Sequence, residues 1–80
     1  MKEIYSAGSF AFADLSPAVG EELGGVRLVK ILRQNRSLVT VLPFRFVGGY
    51  EPVYEQIRTI DTKRIRERVF YLESIKMLPK

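Results

Sequence analysis

The chain has no cysteine, no histidine and no tryptophan among its 80 residues. Without cysteine it can form no disulfide bond and no thiolate metal site. Without histidine it lacks the usual general base and the usual zinc ligand. We therefore expect neither a bound metal nor a cofactor.

Long apolar runs are also missing. No stretch of the sequence approaches the ~18 apolar residues of a membrane-spanning helix, and the N-terminus lacks a signal-peptide pattern. Hydrophobic residues make up 46% of the chain, which is near the globular average and argues against disorder. We expect a single domain over residues 1–80, located in the cytoplasm and without membrane contact. A chain of this size buries only about 60–65% of its unfolded surface, so we expect modest stability.

Positive charge is in mild excess and unevenly placed. Lys and Arg outnumber Asp and Glu by 13 to 9, which gives a net charge of +4. The segment from residue 27 to residue 45 carries cations and no acid: Arg27, Lys30, Arg33, Arg36 and Arg45. These side chains could line a groove that follows a phosphate backbone. They could equally be the outward positions of exposed strands, kept soluble and unpaired by their charge.

The hydrophobic pattern predicts short strands separated by turns. They cover residues 10–13, 26–33, 37–42, 44–47 and 53–60, with a further segment at 66–72 that fits either a strand or a helix. Pro43 should end the third strand or confine it to a sheet edge. Asp61 should cap one helical turn over residues 62–65. Five or six short strands with one helical turn predict a mainly β fold, a small and strongly bent antiparallel barrel.

The stretch between the first two strands is the most informative part of the sequence. It contains Pro17, Gly20 and the pair Gly24-Gly25, and Arg27 follows at the start of the next strand. Glycines allow tight turns, and a guanidinium beside exposed backbone N–H groups could meet an anionic ligand. The plain alternative is a solvated loop followed by a surface arginine.

The same stretch resembles a known family. Its matching residues are Asp14, Leu15, Ser16, Pro17, Gly20, Glu22, Gly24, Gly25, Val26, Arg27 and Val29. In this order they are similar to the first loop of the MazF/PemK-type toxins, the ribonuclease halves of type II toxin–antitoxin pairs. A second block at residues 54–61, Tyr-Glu-Gln-Ile-Arg-Thr-Ile-Asp, resembles the EQIRTID strand of that family. The resemblance implies an SH3-like barrel and favours a strand at 66–72.

The resemblance implies a metal-independent endoribonuclease that cuts single-stranded RNA in a short sequence context. In this family the ribose 2′-hydroxyl attacks the adjacent phosphate, which leaves a cyclic phosphate and a free 5′-hydroxyl. The family's catalytic arginine corresponds to Arg27. Its second catalytic residue, a Thr or Ser at the end of the third strand, corresponds to Thr40 if that strand is shortened. An alignment through Leu42-Pro43 leaves no Thr at that place. The RNA-binding positions carried over are Gly24, Gly25, Glu55, Gln56 and Arg58.

The implied partners are single-stranded RNA, a cognate antitoxin and a second copy of the chain. A homodimer would bury aromatic side chains that cannot all fit one small core: Phe44, Phe46, Tyr50, Tyr54, Phe70 and Tyr71. Against the family, part of the middle loops and the C-terminal helix are expected to be missing. The alternative function is a non-catalytic barrel that binds nucleic acid or an antitoxin. A module for proline-rich peptides is weaker, because such grooves use clustered Tyr and Trp.

Overall fold

The protein is described by a computed structural model that covers residues 4–20 and 22–69. Six strands follow one another in the order β1 (Phe10–Asp14), β2 (Val26–Asn35), β3 (Leu38–Phe46), β4 (Tyr50–Pro52), β5 (Arg58–Asp61) and β6 (Ile65–Val69). A first 3₁₀ turn (Tyr54–Gln56) separates β4 from β5, and a second (Thr62–Arg64) separates β5 from β6. No helix within these residues is long and apolar enough to cross a membrane.

The six strands form one antiparallel sheet, as the sequence predicts. The order across it is β4-β3-β2-β1-β6. β5 pairs with the first part of β3, on the same edge of β3 that β4 occupies further along the strand. A flat sheet from β5 to β6 would be about 19 Å wide. The second 3₁₀ turn connects these two edge strands and can span at most about 15 Å. The sheet must therefore curl into a barrel-like shape, although its edges are not hydrogen-bonded to each other in the part of the chain that the structure describes.

Both faces of the curled sheet are apolar. The inner face carries the larger core, which consists of Tyr5, Ala11, Ala13, Leu15, Val29, Ile31, Val39, Val41 and Ile60. The outer face carries a second cluster of Leu28, Leu42 and Phe44, with half-buried Phe10, Phe12, Leu32, Tyr50 and Val69 against it. The alternation of β1 explains the division, because its alanines point inward and its phenylalanines outward. Small side chains suit the crowded interior, where both alanines are fully buried.

The strand predicted at residues 53–60 is confirmed for residues 58–60, which belong to β5, and is wrong for residues 53–57. β4 and β5 follow the same edge of β3, with Pro52 opposite Phe44 and Arg58 opposite Val41. Between these two pairs the chain has five residues, 53–57, but β3 has only two, 42 and 43. The surplus residues loop out as the first 3₁₀ turn, and the Val53 N–H donates to the Pro43 carbonyl (2.9 Å).

The prediction that Pro43 ends the third strand is also wrong, because β3 continues to Phe46. Pro43 is opposite Val29, at the last pair between β3 and β2. On its other edge, β3 pairs with β5 up to Val41 and with β4 from Phe44, so Pro43, which has no N–H, lies in the gap between these two ladders. The predicted helical turn after Asp61 is confirmed, and the Asp61 side chain accepts from the Lys63 N–H. Of the segment predicted at 66–72, residues 66–69 belong to β6 and residues 70–72 lie outside the described part.

The two-residue turn between β2 and β3 yields a stability prediction. Arg36 has a φ of 59°, the left-handed region that favours glycine. We expect Arg36→Gly to raise the free energy of unfolding by about 0.5–1 kcal/mol in urea denaturation. Arg33→Gly, in the neighbouring strand, is the control and should lower it, because glycine weakens a strand interior. A lower stability for Arg36→Gly would contradict the strain at this turn.

Candidate functional site

The two ends of the β1–β2 loop, residues 15–25, are hydrogen-bonded to each other and form its neck. At its base the Leu15 N–H donates to the Gly25 carbonyl (2.8 Å). The Gly25 N–H donates to Ser16 Oγ (3.0 Å), and the Ser16 N–H donates to Asp14 Oδ1 (2.9 Å). These bonds join the two ends of the loop, so its middle part projects as one unit.

Two arginines hold one side of this loop, Arg64 from the end of the second 3₁₀ turn and Arg66 from β6. Arg64 donates through Nη1 to the Ser16 carbonyl, and Arg66 pairs with Asp14 (Nη2 to Oδ2, 3.2 Å). The Ser16 N–H, followed by the Arg66 side chain, lowers the pKa of the Asp14 carboxyl below its usual value. Asp14 is therefore ionised at neutral pH and available to both partners.

The other side of the loop is held by the EQIRTID block. The Leu23 N–H donates to Gln56 Oε1 (2.6 Å), and Arg58 Nη1 donates to the Leu23 carbonyl (3.1 Å). Arg58 also donates through Nη2 to Gln56 Oε1 (2.8 Å) and through Nε to the Gln56 carbonyl (3.3 Å). The two sequence blocks that carry the family resemblance therefore meet at Leu23.

Arg27 lies next to this contact. Its Nε donates to the Gly24 carbonyl (2.8 Å), so the residue after Leu23 anchors the guanidinium group. Along β2, Arg27 shares the inner face with Val29, and along β5, Arg58 shares it with Ile60. Both arginines thus lie on the inner face of the sheet, at the end that the loop covers.

The glycine pair serves two different needs. Gly25 has a φ of 74°, a backbone conformation that residues with a side chain rarely adopt. A Cβ on Gly24 would lie 2.8 Å from Ala18 Cβ, so Gly24 permits a close approach within the loop. The Gly25 N–H already donates to Ser16, so an anion at that group would compete with the hydroxyl.

Two open cavities flank Arg58. The first, about 250 Å³, is lined by Leu15, Ser16, Pro17, Glu22, Arg58, Ile60 and Arg64. The second, about 390 Å³, is lined by Val19, Glu22, Glu55, Gln56, Ile57 and Arg58. Exposed Glu55 belongs to the second cavity, and Arg27 lines neither. Within the described residues, no group of three or more Asp or Glu side chains is placed to hold a metal ion.

Thr40 is not near Arg27. Arg27 is opposite Ala13 at the start of β2, whereas Thr40 is opposite Arg33, six residues further along that strand. This separates them by roughly 20 Å along β2. Thr40 also lies on the outer face with Leu42, and its hydroxyl is hydrogen-bonded to Thr59 Oγ1 (2.9 Å). The structure therefore brings together Gly24, Gly25, Arg27, Gln56 and Arg58, with Glu55 beside them, but not Thr40.

Three residues of the site are absent from the sequence-based prediction of its function. Ser16 holds the neck, and Arg64 and Arg66 hold the loop against β6. Arg64 lies in the helical turn predicted at residues 62–65 and Arg66 in the segment predicted at 66–72, and the sequence assigned neither of them a function. Glu21, a loop acid, lies outside the described residues.

Comparison with known proteins supports the family resemblance. The chain is 31% identical to Endoribonuclease MazF of Staphylococcus epidermidis over 96 residues, which cover 89% of this chain and 80% of that protein. No protein-family model matches the chain. The curled antiparallel sheet and its loop site define a small, mainly β protein, and the similarity to this relative supports a toxin endoribonuclease family. The chain belongs to the MazF family. Because the aligned stretch is longer than the 80-residue chain, the relative has residues that this chain lacks.

The close contact at Gly24 gives a test of the loop geometry. Gly24→Ala should lower the free energy of unfolding by about 1–3 kcal/mol in urea denaturation, because the new methyl group overlaps the Ala18 side chain. Ala18→Gly in the same chain removes the overlapping atom. Gly24→Ala should therefore lower the free energy of unfolding much less in the Ala18→Gly background than in the wild type.

Gly25→Ala is the matched control. A Cβ there meets nothing within 4 Å, and its cost comes from the positive φ. Ala18→Gly should therefore give it no recovery. If both glycine variants respond alike to Ala18→Gly, the packing of Gly24 on Ala18 is wrong.

Proposed function

We propose that this chain is a toxin of the MazF type that cleaves single-stranded RNA without a metal ion, in a short sequence context. The observation that carries the proposal is the position of Arg27, which lies on the inner face of the sheet beside the glycine pair and is anchored by the Gly24 carbonyl. Membership of the MazF family supplies the class of substrate.

The reaction needs charge stabilisation more than any other protein contribution. The ribose 2′-oxygen loses its proton and forms a bond to the adjacent phosphorus, and the bond from phosphorus to the 5′-oxygen breaks. The products are a 2′,3′-cyclic phosphate and a 5′-hydroxyl, which gains a proton. Arg27 Nη1 and Nη2 would donate to the phosphate oxygens as negative charge builds up on them. Its engaged Nε keeps the planar fork in one orientation.

The neighbouring residues suit the binding of an extended RNA strand. We assign to RNA contact the Gly24 N–H, a donor for phosphate, and the Gly25 backbone beside it. The Glu55 carboxylate is exposed at the second cavity and could accept from an exocyclic amino group of a base. Gln56 and Arg58 belong to the same site, where the loop already engages their polar atoms.

A second candidate function follows from the position of Thr40. If Thr40 is the residue that supplies the second catalytic group in this family, it is too far from Arg27 to act on the same phosphate. The chain would then be a barrel that binds RNA or an antitoxin without cutting RNA. Part of the family's middle loops is also missing under this proposal, which would leave a shallower groove.

The proposed partners follow the family. We propose a cognate antitoxin, a homodimer and action in the cytoplasm, where RNA is available. For the homodimer, the support is the outer apolar face. There Phe46 is 58% exposed and continues the row of Phe44, which is buried, and its ring packs edge-on against Tyr50. Tyr54, in the first 3₁₀ turn, is 59% exposed. Phe70 and Tyr71 lie outside the described residues.

The enzyme proposal is tested by cleavage of a mixed single-stranded RNA in the presence of EDTA. We expect the wild-type protein to cut it and Arg27→Ala to lose about 10²–10³-fold in rate, the usual effect of removing one donor aimed at a transition state. Arg27→Lys should lose nearly as much, because an ammonium group cannot reproduce the planar fork.

Thr40→Ala and Arg33→Ala are the companions of this test. Arg33 is exposed and lies six residues beyond Arg27 along β2, so its removal should leave the rate within about twofold. Thr40→Ala should also cleave normally if Arg27 acts without it. A rate loss like that of Arg27→Ala would place Thr40 in the catalytic site. Undiminished cleavage by Arg27→Ala would overturn the assignment of Arg27.

The homodimer is tested by light scattering at micromolar concentration. We expect a mass of twice 9.2 kDa, and Phe46→Ser should shift the equilibrium towards the monomer by removing apolar area from the interface. Val19→Ser, in the loop, is the control, because Val19 is a more exposed apolar residue that lies away from the outer face. A single species at the monomer mass would contradict the homodimer.

A further inference from the structure

Gln56 and Arg58 have the residue types of RNA contacts, but the Gln56 side-chain oxygen and the Arg58 guanidinium group are bonded within the protein. Gln56 Oε1 accepts from the Leu23 N–H and from Arg58 Nη2. A side-chain amide oxygen has two lone pairs, so these two bonds fill its capacity. Both side chains are half-buried, whereas neighbouring Glu55 is exposed. The Gln56 side-chain oxygen is therefore already used to hold the loop.

Arg58 uses each nitrogen of its guanidinium group within the protein. Nε donates to the Gln56 carbonyl, Nη1 to the Leu23 carbonyl and Nη2 to Gln56 Oε1. Because the guanidinium group is planar, bonding to one side chain and two backbone carbonyls at once fixes its orientation. Three of its five N–H donors are used in this way, so its cation is directed at the loop.

The consequence of these bonds reaches Arg27. Leu23 is held through both its N–H and its carbonyl, and the carbonyl of the next residue, Gly24, accepts from Arg27 Nε. The connection runs from Arg58 through Leu23 and Gly24 to Arg27. Without this connection, the glycine pair would allow the end of the loop to adopt several backbone conformations. The orientation of the Arg27 fork would vary with them.

We propose that Gln56 and Arg58 are positioning residues, which fix Leu23 and thereby the Arg27 guanidinium, and are not RNA contacts. The proposal rests on the proposed function for its catalytic consequence, but the loop contact itself exists without RNA. A positioning role and a contact role predict different results for the free protein, for the rate and for the salt dependence of binding.

The first measurement uses the free protein. Amide hydrogen exchange at Leu23 should be at least about tenfold faster in Gln56→Leu than in the wild type, because its acceptor is lost. Gln56→Glu keeps an acceptor oxygen and should retain the protection. Glu55→Gln is the control, one residue away and outside the contact. Unchanged exchange in Gln56→Leu would overturn the proposal, whether or not the protein cleaves RNA.

The second measurement separates positioning from binding in the cleavage reaction. Arg58→Lys keeps the charge but loses the fork, and we expect kcat to fall about 10²-fold with KM within about threefold, as for a misplaced catalytic group. Arg58→Ala should leave the slope of log affinity against log salt unchanged. A lost phosphate contact would reduce that slope by about 0.7 for single-stranded RNA. A reduced slope, or a raised KM with kcat unchanged, would overturn the proposal.

A double-mutant cycle measures the coupling between Arg58 and Arg27. If Arg58 acts through Arg27, Arg58→Ala should slow the residual cleavage of Arg27→Ala by less than about twofold. Independent losses that multiply would contradict the connection between the two arginines. If the wild-type protein cleaves no RNA, the proposed enzyme fails in this arm, and the exchange measurement alone decides the positioning role.

Discussion

Side chains from β5 and from the two 3₁₀ turns that flank it give the β1–β2 loop its shape by bonding to its backbone. The loop contains Pro17 and three glycines, and such a segment does not hold one conformation by its own propensities. Arg58 and Gln56 fix it at Leu23, and Arg64 fixes it at Ser16. Because Arg27 takes its orientation from Gly24 within this loop, the candidate site depends on residues more than thirty positions away in sequence.

The size of the chain explains why the sheet must bury both faces. An 80-residue chain without disulfides has little apolar surface to spare. The inner core uses small side chains such as Ala11 and Ala13, and the outer cluster uses large ones such as Phe44. This arrangement leaves few interior positions for catalysis, so the polar groups of the site gather at the loop-covered end. There the guanidinium groups can reach both backbone carbonyls and solvent.

Much of this organisation could be predicted from the sequence, and the reasons for the failures are specific. Alternation in β1 and β2 indicated the two faces, and the two family blocks indicated the parts of the site. The break at 53–57 could not be predicted, because it arises from unequal residue numbers between paired segments, which only the register reveals. The same holds for Thr40, whose distance from Arg27 depends on its pairing with Arg33. The contact of Gln56 with Leu23 depends on the fold of the loop in three dimensions.

The central claim is that RNA binds at the loop-covered end of the sheet. The most direct measurement is a titration of ¹⁵N-labelled protein with a short single-stranded RNA, followed by backbone amide chemical shifts. The account predicts changes concentrated at residues 22–27 and 55–58, with the β2–β3 turn at residues 35–38 unchanged as an internal reference. Changes confined to that turn or to the outer apolar face, with the loop unaffected, would contradict it.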